Sequence, residues 1–498
     1  MASSLTKDPA GPPGTEKTFF GHPRGLATLF MTEMWERYSF YGMKALLPLY
    51  LIAPGGLHMN AATATTIYSA YMAMVYLLTM PGGWLADRFW GPRKTVAIGG
   101  GVVILGHITL AVPNSATFFA GLALVALGSG LLKANISTMV GHLYKGPKDP
   151  RRDGGFTLFY VGINVGAFLA PLTIGTVGEN VNWHFGFALA AVGMALGLAQ
   201  FMLGSRHLSP QSNVVATPAT EEEKHSALRK GLIWLIVAVV FYGLLAATGN
   251  FVDWAVLPIT IAGLVIPVAV LVRMKRDKEL TKTEQSKLSG YIWFFVVAAV
   301  FWMIYDQNGS TLSIFGENST TNSLLGFDFP TSWYQSLNPI FVMAAAPVMA
   351  SGWLWLNKRG KEPSTAVKFA SSLVLIGVSF VVFLIPLIDT AANGGRVSPM
   401  WLVAIYFIQT VAELCLSPVG LSVTTKMAPA KYSSQMMGVW FLAVTAGDSV
   451  TGLLTSPQLG VDLNTSGAVA IEAVLAVIAG VGIWMYRRKV TQHMSDES

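Results

Sequence analysis

Long uninterrupted apolar runs fill this chain, separated by short polar stretches. Runs long enough to cross a bilayer, about 20 residues each, stand in fourteen places: 24–53, 61–86, 95–112, 115–143, 153–178, 183–204, 231–248, 251–272, 288–316, 332–356, 364–388, 398–425, 432–458 and 466–486. The stretch 205–230, with Glu221, Glu222, Glu223 and Lys224, reads as a polar linker, and the basic stretch 273–287 as a second. The pattern predicts an all-α integral membrane protein: a tail at 1–23, a six-helix bundle at 24–204, a linker at 205–230, an accessory helix pair at 231–272, a linker at 273–287, a second six-helix bundle at 288–486 and a tail at 487–498.

Composition narrows the class. Hydrophobic residues make up 53% of the 498 and charged residues 12%, about half the roughly 25% of soluble proteins. That excludes a soluble multidomain enzyme and a disordered or fibrous chain. The first 23 residues are polar and rich in Pro and Gly, without the apolar core of a signal peptide. Cys415, the single cysteine, has no intramolecular partner.

The basic residues set the expected topology. With the N-terminus in the cytoplasm, 28 of the 33 lysines and arginines fall in cytoplasmic segments, Arg396 is external, and Arg37, Lys44, Lys133 and Lys368 lie inside runs. This asymmetry is a strong positive-inside signal, and it places both termini in the cytoplasm. It also removes nucleic acid as a partner, because the basic excess is spread along a membrane face.

Two sets of six runs suggest a duplicated transporter core. The loop after the second run reads Gly83-Trp84-Leu85-Ala86-Asp87-Arg88-Phe89-Trp90-Gly91-Pro92-Arg93-Lys94. Its weaker echo in the second half reads Gly352-Trp353-Leu354-Trp355-Leu356-Asn357-Lys358-Arg359. The first copy resembles the conserved loop of the major facilitator superfamily. That resemblance implies a conformational role for Gly83, Asp87, Arg88, Gly91 and Arg93, with Asp87 and Arg88 tying helix ends together in one state.

Ionisable residues within membrane runs cost a few kcal/mol each on insertion scales and mark function by default. The first run carries Glu33, Glu36, Arg37 and Lys44. At 100° per residue Arg37, Phe40 and Lys44 fall within about 40° of Glu33, and Glu36 about 60° to the other side. Four charges on one stripe line a wet cavity more readily than they glue helices. At 1.5 Å per residue, Lys133 and Glu413 lie about 15 and 21 Å above the cytoplasmic ends of their runs, and Lys44 and Asp306 about 30 and 28 Å. Lys133 therefore opposes Glu413 at one level and Lys44 opposes Asp306 at another, two cross-bundle pairs suited to alternating access. Cations in one half and a carboxylate in the other complement a zwitterion with separated termini, such as a short peptide. No nucleotide-binding loop occurs, so a proton is the expected driving ion.

These residues now look familiar. Glu33-Met34-Trp35-Glu36-Arg37 with Phe40-Tyr41-Gly42-Met43 resembles the E-x-x-E-R motif of proton-coupled oligopeptide transporters. So do Gly128 to Ser137, Phe159 to Gly166, Leu337-Asn338-Pro339, Glu413 to Pro418 and Met437 to Trp440. The resemblance covers about 24–488 and implies proton-driven uptake of di- and tripeptides across a bacterial inner membrane by a major facilitator fold of fourteen helices. Carried over, Glu33, Glu36, Arg37 and Glu413 couple protons to transport. Arg37 and Lys133 hold the peptide carboxylate, Asn338 and Glu413 its amino group, and Asn164 its backbone. Tyr41, Tyr76, Ser417 and Trp440 complete the peptide site; Lys44–Asp306 and Lys133–Glu413 are the outer and inner gates. No metal or cofactor besides the proton is expected, and function as a monomer is. Phe40 replaces a tyrosine common in the family, Ala134 a proline and Asp306 a glutamate. Ser69 stands where animal members carry histidine. Competing readings are a drug/proton antiporter of the superfamily, a nitrate-type relative and a non-transporting sensor. No nucleophile–base pair or metal-ligand spacing supports an enzyme.

Overall fold

The computed structural model describes residues 18–145 and 149–492; the expected tails therefore lie partly outside the described residues, at 1–17 and 493–498. It is almost wholly helical. The first bundle holds α1 (Gly25–Ile52), α2 (Ala61–Trp90), α3 (Pro92–Leu110), α4 (Ser115–Gly141), α5 (Arg152–Asn180) and α6 (Trp183–His207). Then come α7 (Glu221–Thr248) and α8 (Phe251–Lys275). The second bundle holds α9 (Lys282–Ser319), α10 (Thr331–Lys358), α11 (Thr365–Asn393), α12 (Met400–Lys426), α13 (Ser433–Leu454) and α14 (Ser466–Gln492). Among the described residues, 12 helices, all except α1 and α3, are long and apolar enough to cross a membrane. The first exception carries Glu33, Glu36, Arg37 and Lys44, and the second opens on Arg93 and Lys94.

Helix starts depart from the expected linkers for a local reason. Thr220 and Glu223 form a reciprocal capping box, as do Thr281 and Glu284, so orphan amides of the first turn are satisfied by side chains. Residues 221–230 are thus helix rather than loop, and the second linker shrinks to the segment between Lys275 and Lys282.

The apolar core divides with the chain. One cluster, including Phe294, Phe301, Phe369, Phe383 and Leu416, belongs to the second half; two others, around Leu46, Phe118 and Phe187 and around Leu29, Ile136 and Phe201, belong mainly to the first. Helix α7 buries no residue, and Trp234 is 72% exposed, a surface fit for acyl chains rather than water. Helix α8 packs closely on α13, with Gly263 against Ser449.

Close crossings in the first bundle rest on glycine. A Cβ at Gly130 would meet Leu78 Cβ at 2.6 Å, and one at Gly128 would meet the Gly99 carbonyl oxygen at 2.7 Å. Gly128→Val should therefore cost about 1–3 kcal/mol or more by overpacking. Thermal unfolding of the detergent-purified protein would reveal it as a lower midpoint; an unchanged midpoint would mean that this crossing is looser than described.

Far from the termini, α9 and α10 are joined by a short hairpin, β1 (Ser323–Leu324) and β2 (Phe327–Asp328), in which Ser323 pairs Asp328 and Leu324 pairs Phe327. Both turn residues, Leu325 and Gly326, have positive φ (54° and 82°), as a two-residue turn matched to strand twist requires.

Candidate functional site

Of the charges predicted to lie within the helices, Glu33, Glu36, Arg37, Lys44, Lys133 and Asp306 are buried between the bundles and Glu413 is half-buried there, whereas Lys368 stands at the start of α11 and pairs with Glu362. On α1, the 3.6-residue period stacks Glu33 under Arg37, and Arg37 Nε donates to Glu33 Oε1 at 2.6 Å. Glu36 Oε2 lies 3.1 Å from the same nitrogen. Glu33 and Glu36 are each 1% exposed and Arg37 6%. One guanidinium is thus shared by two carboxylates, leaving a net negative triplet if both acids are ionised.

Lys133, on α4, is 8% exposed, and its Nζ makes no hydrogen bond among the described residues. It lies instead 3.9 Å from the ring centroid of Tyr76 and 4.7 Å from that of Phe40, held by the negative faces of two aromatic rings. Phe40, without a hydroxyl, still offers Lys133 its ring face. Tyr76 in turn stacks on Phe441 of α13, with centroids 5.9 Å apart, a contact from one bundle to the other.

The second bundle supplies a carboxylate held by neutral donors. Tyr305 Oη donates to Glu413 Oε2 at 2.6 Å, and Asn338 Nδ2 donates to the same oxygen at 2.9 Å and to Tyr305 Oη at 2.8 Å. Asn338 also reaches Thr410 Oγ1 at 3.1 Å. Three helices, α9, α10 and α12, thereby converge on one carboxylate. Tyr305 was missed by sequence reasoning. An aromatic residue in an apolar run carries no signal of its own; the structure places Tyr305 directly before Asp306, where α9 breaks into a 3₁₀ turn, Asp306–Gly309.

The two expected cross-bundle pairs differ. Lys44 Nζ lies 3.3 Å from Asp306 Oδ1, both nearly buried. Lys133 and Glu413 are not joined: the lysine is on its aromatic rings and the glutamate on Tyr305 and Asn338. In place of the expected Lys133–Glu413 contact, each partner is held within its own bundle, the ammonium by ring faces alone and the carboxylate by hydrogen bonds.

Other candidates sit further apart. Tyr41 lies with its ring centroid 6.0 Å from Lys44 Nζ. Asn164 donates to the Tyr160 carbonyl of its own helix at 2.9 Å. Ser417, one turn beyond Glu413, has a buried Oγ with no hydrogen-bond partner among the described residues. Trp440 is packed against Gly420 and Phe369 inside the second bundle. Of the buried acids without an expected role, Glu472 accepts from Gln307 Nε2 at 2.7 Å. His107, fully buried, bonds Ser39 Oγ at 2.6 Å.

The last turn of α2 and the Gly91 turn after it bind the segment that leads to α7. Arg88 pairs with Glu223 at 2.5 Å, and the Asp87 and Arg88 carbonyls accept from Thr217 and Ala219 amides. Arg93 lies 3.4 Å from Asn213 Oδ1. Gly91 adopts φ 74° and a Cβ there would meet the Asn213 carbonyl oxygen at 2.9 Å, whereas Gly83 has open space around it. Arg88 thus ties α2 to the accessory pair, while Asp87 contributes its backbone.

Among the described residues, twelve long apolar helices, apolar cores that divide between two bundles and opposite charges at their seam define a multi-pass membrane protein with a polar centre. Comparison with known proteins makes the class particular. The model of the POT family, PTR2, matches residues 93–462, and the chain belongs to that family. An uncharacterised transporter of Bacillus subtilis (strain 168) is 44% identical over 445 residues, 87% of this chain and 88% of the relative. A di-/tripeptide transporter of Lactococcus lactis subsp. cremoris is 40% identical over 496 residues, 97% and 98% of the two chains. A crystal structure of a peptide transporter POT in complex with sulfate superposes with a TM-score of 0.90 at 41% identity, covering 96% of this chain and 97% of that one.

Proposed function

We propose that the protein is a proton-coupled symporter that imports di- and tripeptides by alternating access. One observation carries this most: of the two opposite-charge pairings that the bundles offer, Lys44–Asp306 is made while Lys133 and the half-buried Glu413 are each parked within their own bundle. Two such pairs that alternate would close the centre first on one side and then on the other. The chemistry of the centre suits a peptide zwitterion. Arg37 and Lys133 bind its carboxylate, while Glu413 and Asn338, oriented by Tyr305, bind its ammonium. Tyr41, Tyr76, Asn164, Ser417 and Trp440 shape the remaining surface.

Glu33 and Glu36 compete for one guanidinium, and a peptide carboxylate arriving at Arg37 would displace one of them. A displaced carboxylate in a nonaqueous site takes a proton rather than remain as an unpaired buried charge. Binding and protonation are thereby linked. The membrane potential then supplies about 2.3 kcal/mol per 100 mV for each charge carried inward. No cofactor beyond the proton enters this scheme, and one chain holds every residue it uses.

The asymmetry of Lys and Arg supports cytoplasmic termini in a bacterial inner membrane, with α1 and α3 crossing alongside the twelve more apolar helices. The domain divisions follow: a bundle of α1 to α6 and a bundle of α9 to α14 flanking the accessory pair α7 and α8. The test is uptake by proteoliposomes of labelled dialanine under an inward proton gradient and an inside-negative potential. Accumulation that collapses with a protonophore is expected. Accumulation indifferent to both gradients, or none at all, overturns the reading.

A further inference from the structure

At the end of the molecule away from the termini, the C-terminal turn of α5 meets the first turn of α10. Glu179 ends this contact. Its Oε2 accepts the backbone amide of Thr331 at 2.8 Å and its Oε1 that of Ser332 at 2.9 Å. Those amides open the 3₁₀ turn Thr331–Ser336, which continues directly into the rest of α10. They are orphan donors of a helix start, where a carboxylate is favoured by both hydrogen bonding and the helix dipole. The cap is unusual only in its origin: it comes from the other bundle.

The surrounding contacts show how tight this seam is. A Cβ at Gly175 would meet Ser332 Oγ at 2.0 Å. Trp333 Nε1 donates to Thr176 Oγ1 at 2.9 Å, and Ser336 Oγ donates to the Phe168 carbonyl at 2.8 Å. Behind the cap, Thr331 Oγ1 donates to Glu317 at 2.5 Å and accepts from Asn322 at 2.7 Å, so the receiving turn is itself fixed. Glu179 is not among the charges that face the seam's centre, and transport chemistry at Arg37 and Glu413 does not use it.

We infer that Glu179 is a latch: a carboxylate of the first bundle that caps the start of α10 and holds the external end of the transporter closed, independently of the Lys44–Asp306 pair. Opening that end breaks both charge-assisted bonds at once and leaves two helix-start amides and a carboxylate to be hydrated together. The latch therefore biases the resting equilibrium toward external closure and positions α10, the helix that brings Asn338 to Glu413.

Double electron–electron resonance tests this on the full chain in lipid nanodiscs, with spin labels at Val112→Cys and Leu459→Cys, exposed loop positions of the two bundles at this end. The background carries Cys415→Ala. Glu179→Gln turns one acceptor into a donor facing an N–H, and should raise the population with long inter-label distances about tenfold or more, as loss of a charged hydrogen bond requires. Gly175→Val wedges the same seam without touching charge and should shift distances in the same direction. Glu179→Asp, one methylene shorter, carries the same expectation should the glutamine variant not be recovered. Distances in the Glu179 variants that superimpose on the parent overturn the latch, whatever Gly175→Val does. The inference rests on the alternating-access reading for its meaning, yet the distances are measured without peptide or gradient. Absence of dialanine uptake with shifted distances would sink the symporter and leave the latch; normal uptake with unshifted distances would do the reverse.

Discussion

Replacing Glu413 with glutamine is expected to abolish gradient-driven accumulation of dialanine while leaving the protein folded. The geometry separates the two effects. Glutamine keeps the volume of glutamate and one carbonyl oxygen, so Tyr305 and Asn338, which both donate to Oε2, retain an acceptor. The negative charge disappears, and with it the counter-ion of the peptide ammonium and the partner that Lys133 needs in the opposite state. A charged hydrogen bond contributes about 1.5–3 kcal/mol, and an ammonium left unpaired in a buried site costs about 3–5 kcal/mol. Either figure is at least tenfold in affinity, and the upper one exceeds a thousandfold. Uptake of dialanine should therefore fall about a hundredfold or more at fixed gradient. An internal control follows from the chemistry. A dialanine acetylated on nitrogen has no ammonium to pair, so the parent should discriminate strongly against it and the variant should not. Normal accumulation by Glu413→Gln, or undiminished discrimination, would remove Glu413 from the proposed site.

How much of this was legible before any coordinates existed follows from what each residue costs. Charges in a membrane run are expensive, so Glu33, Glu36, Arg37, Lys44, Lys133, Asp306 and Glu413 stand out against an apolar background. Helical geometry then assigns them depths, which is why the contact of Lys44 with Asp306 could be read from the rise per residue. Which of two pairs is made is not a property of depth, because it depends on the conformation. Tyr305 was illegible for the opposite reason: an aromatic residue in an apolar run costs nothing, and only the hydroxyl's approach to Glu413 gives it a task. Phe40 was readable as a missing hydroxyl but not as a ring beneath Lys133. Boundaries were blurred where polar residues open helices, as at Glu221–Glu223, since hydropathy marks the membrane while a capping box marks the helix. Glu179 fell just beyond the run ending at 178, where acids are ordinary; its partners are backbone amides more than 150 residues away in sequence.

Removal of Lys44 is expected to destabilise the protein more than removal of the whole pair. At 3.3 Å and an effective dielectric constant near 20, the attraction between Lys44 and Asp306 is about 5 kcal/mol, set against the cost of taking both charges from water. Such a balance makes the intact pair worth little net, whereas a lone member costs about 3–5 kcal/mol. Asp306 is especially exposed to that loss: its Oδ2 has no hydrogen-bond partner among the described residues, and Lys44 is the donor to its Oδ1. Lys44→Met should therefore lower the thermal midpoint markedly, because methionine donates nothing to the stranded carboxylate, and Asp306→Asn should do so less, because the asparagine oxygen still accepts a hydrogen bond from the Lys44 ammonium. The double variant should recover most of the loss, giving a coupling energy of at least about 2 kcal/mol between two residues on α1 and α9. Additive midpoints would mean that the two side chains do not share one buried environment. Function should part from stability at this point. Every one of the three variants lacks the ionic contact that closes one end of the centre, so the double variant should melt like the parent yet accumulate peptide poorly. A double variant restored in both respects would show that the pair serves the fold alone, and that closure depends on the remaining seam between α5 and α10.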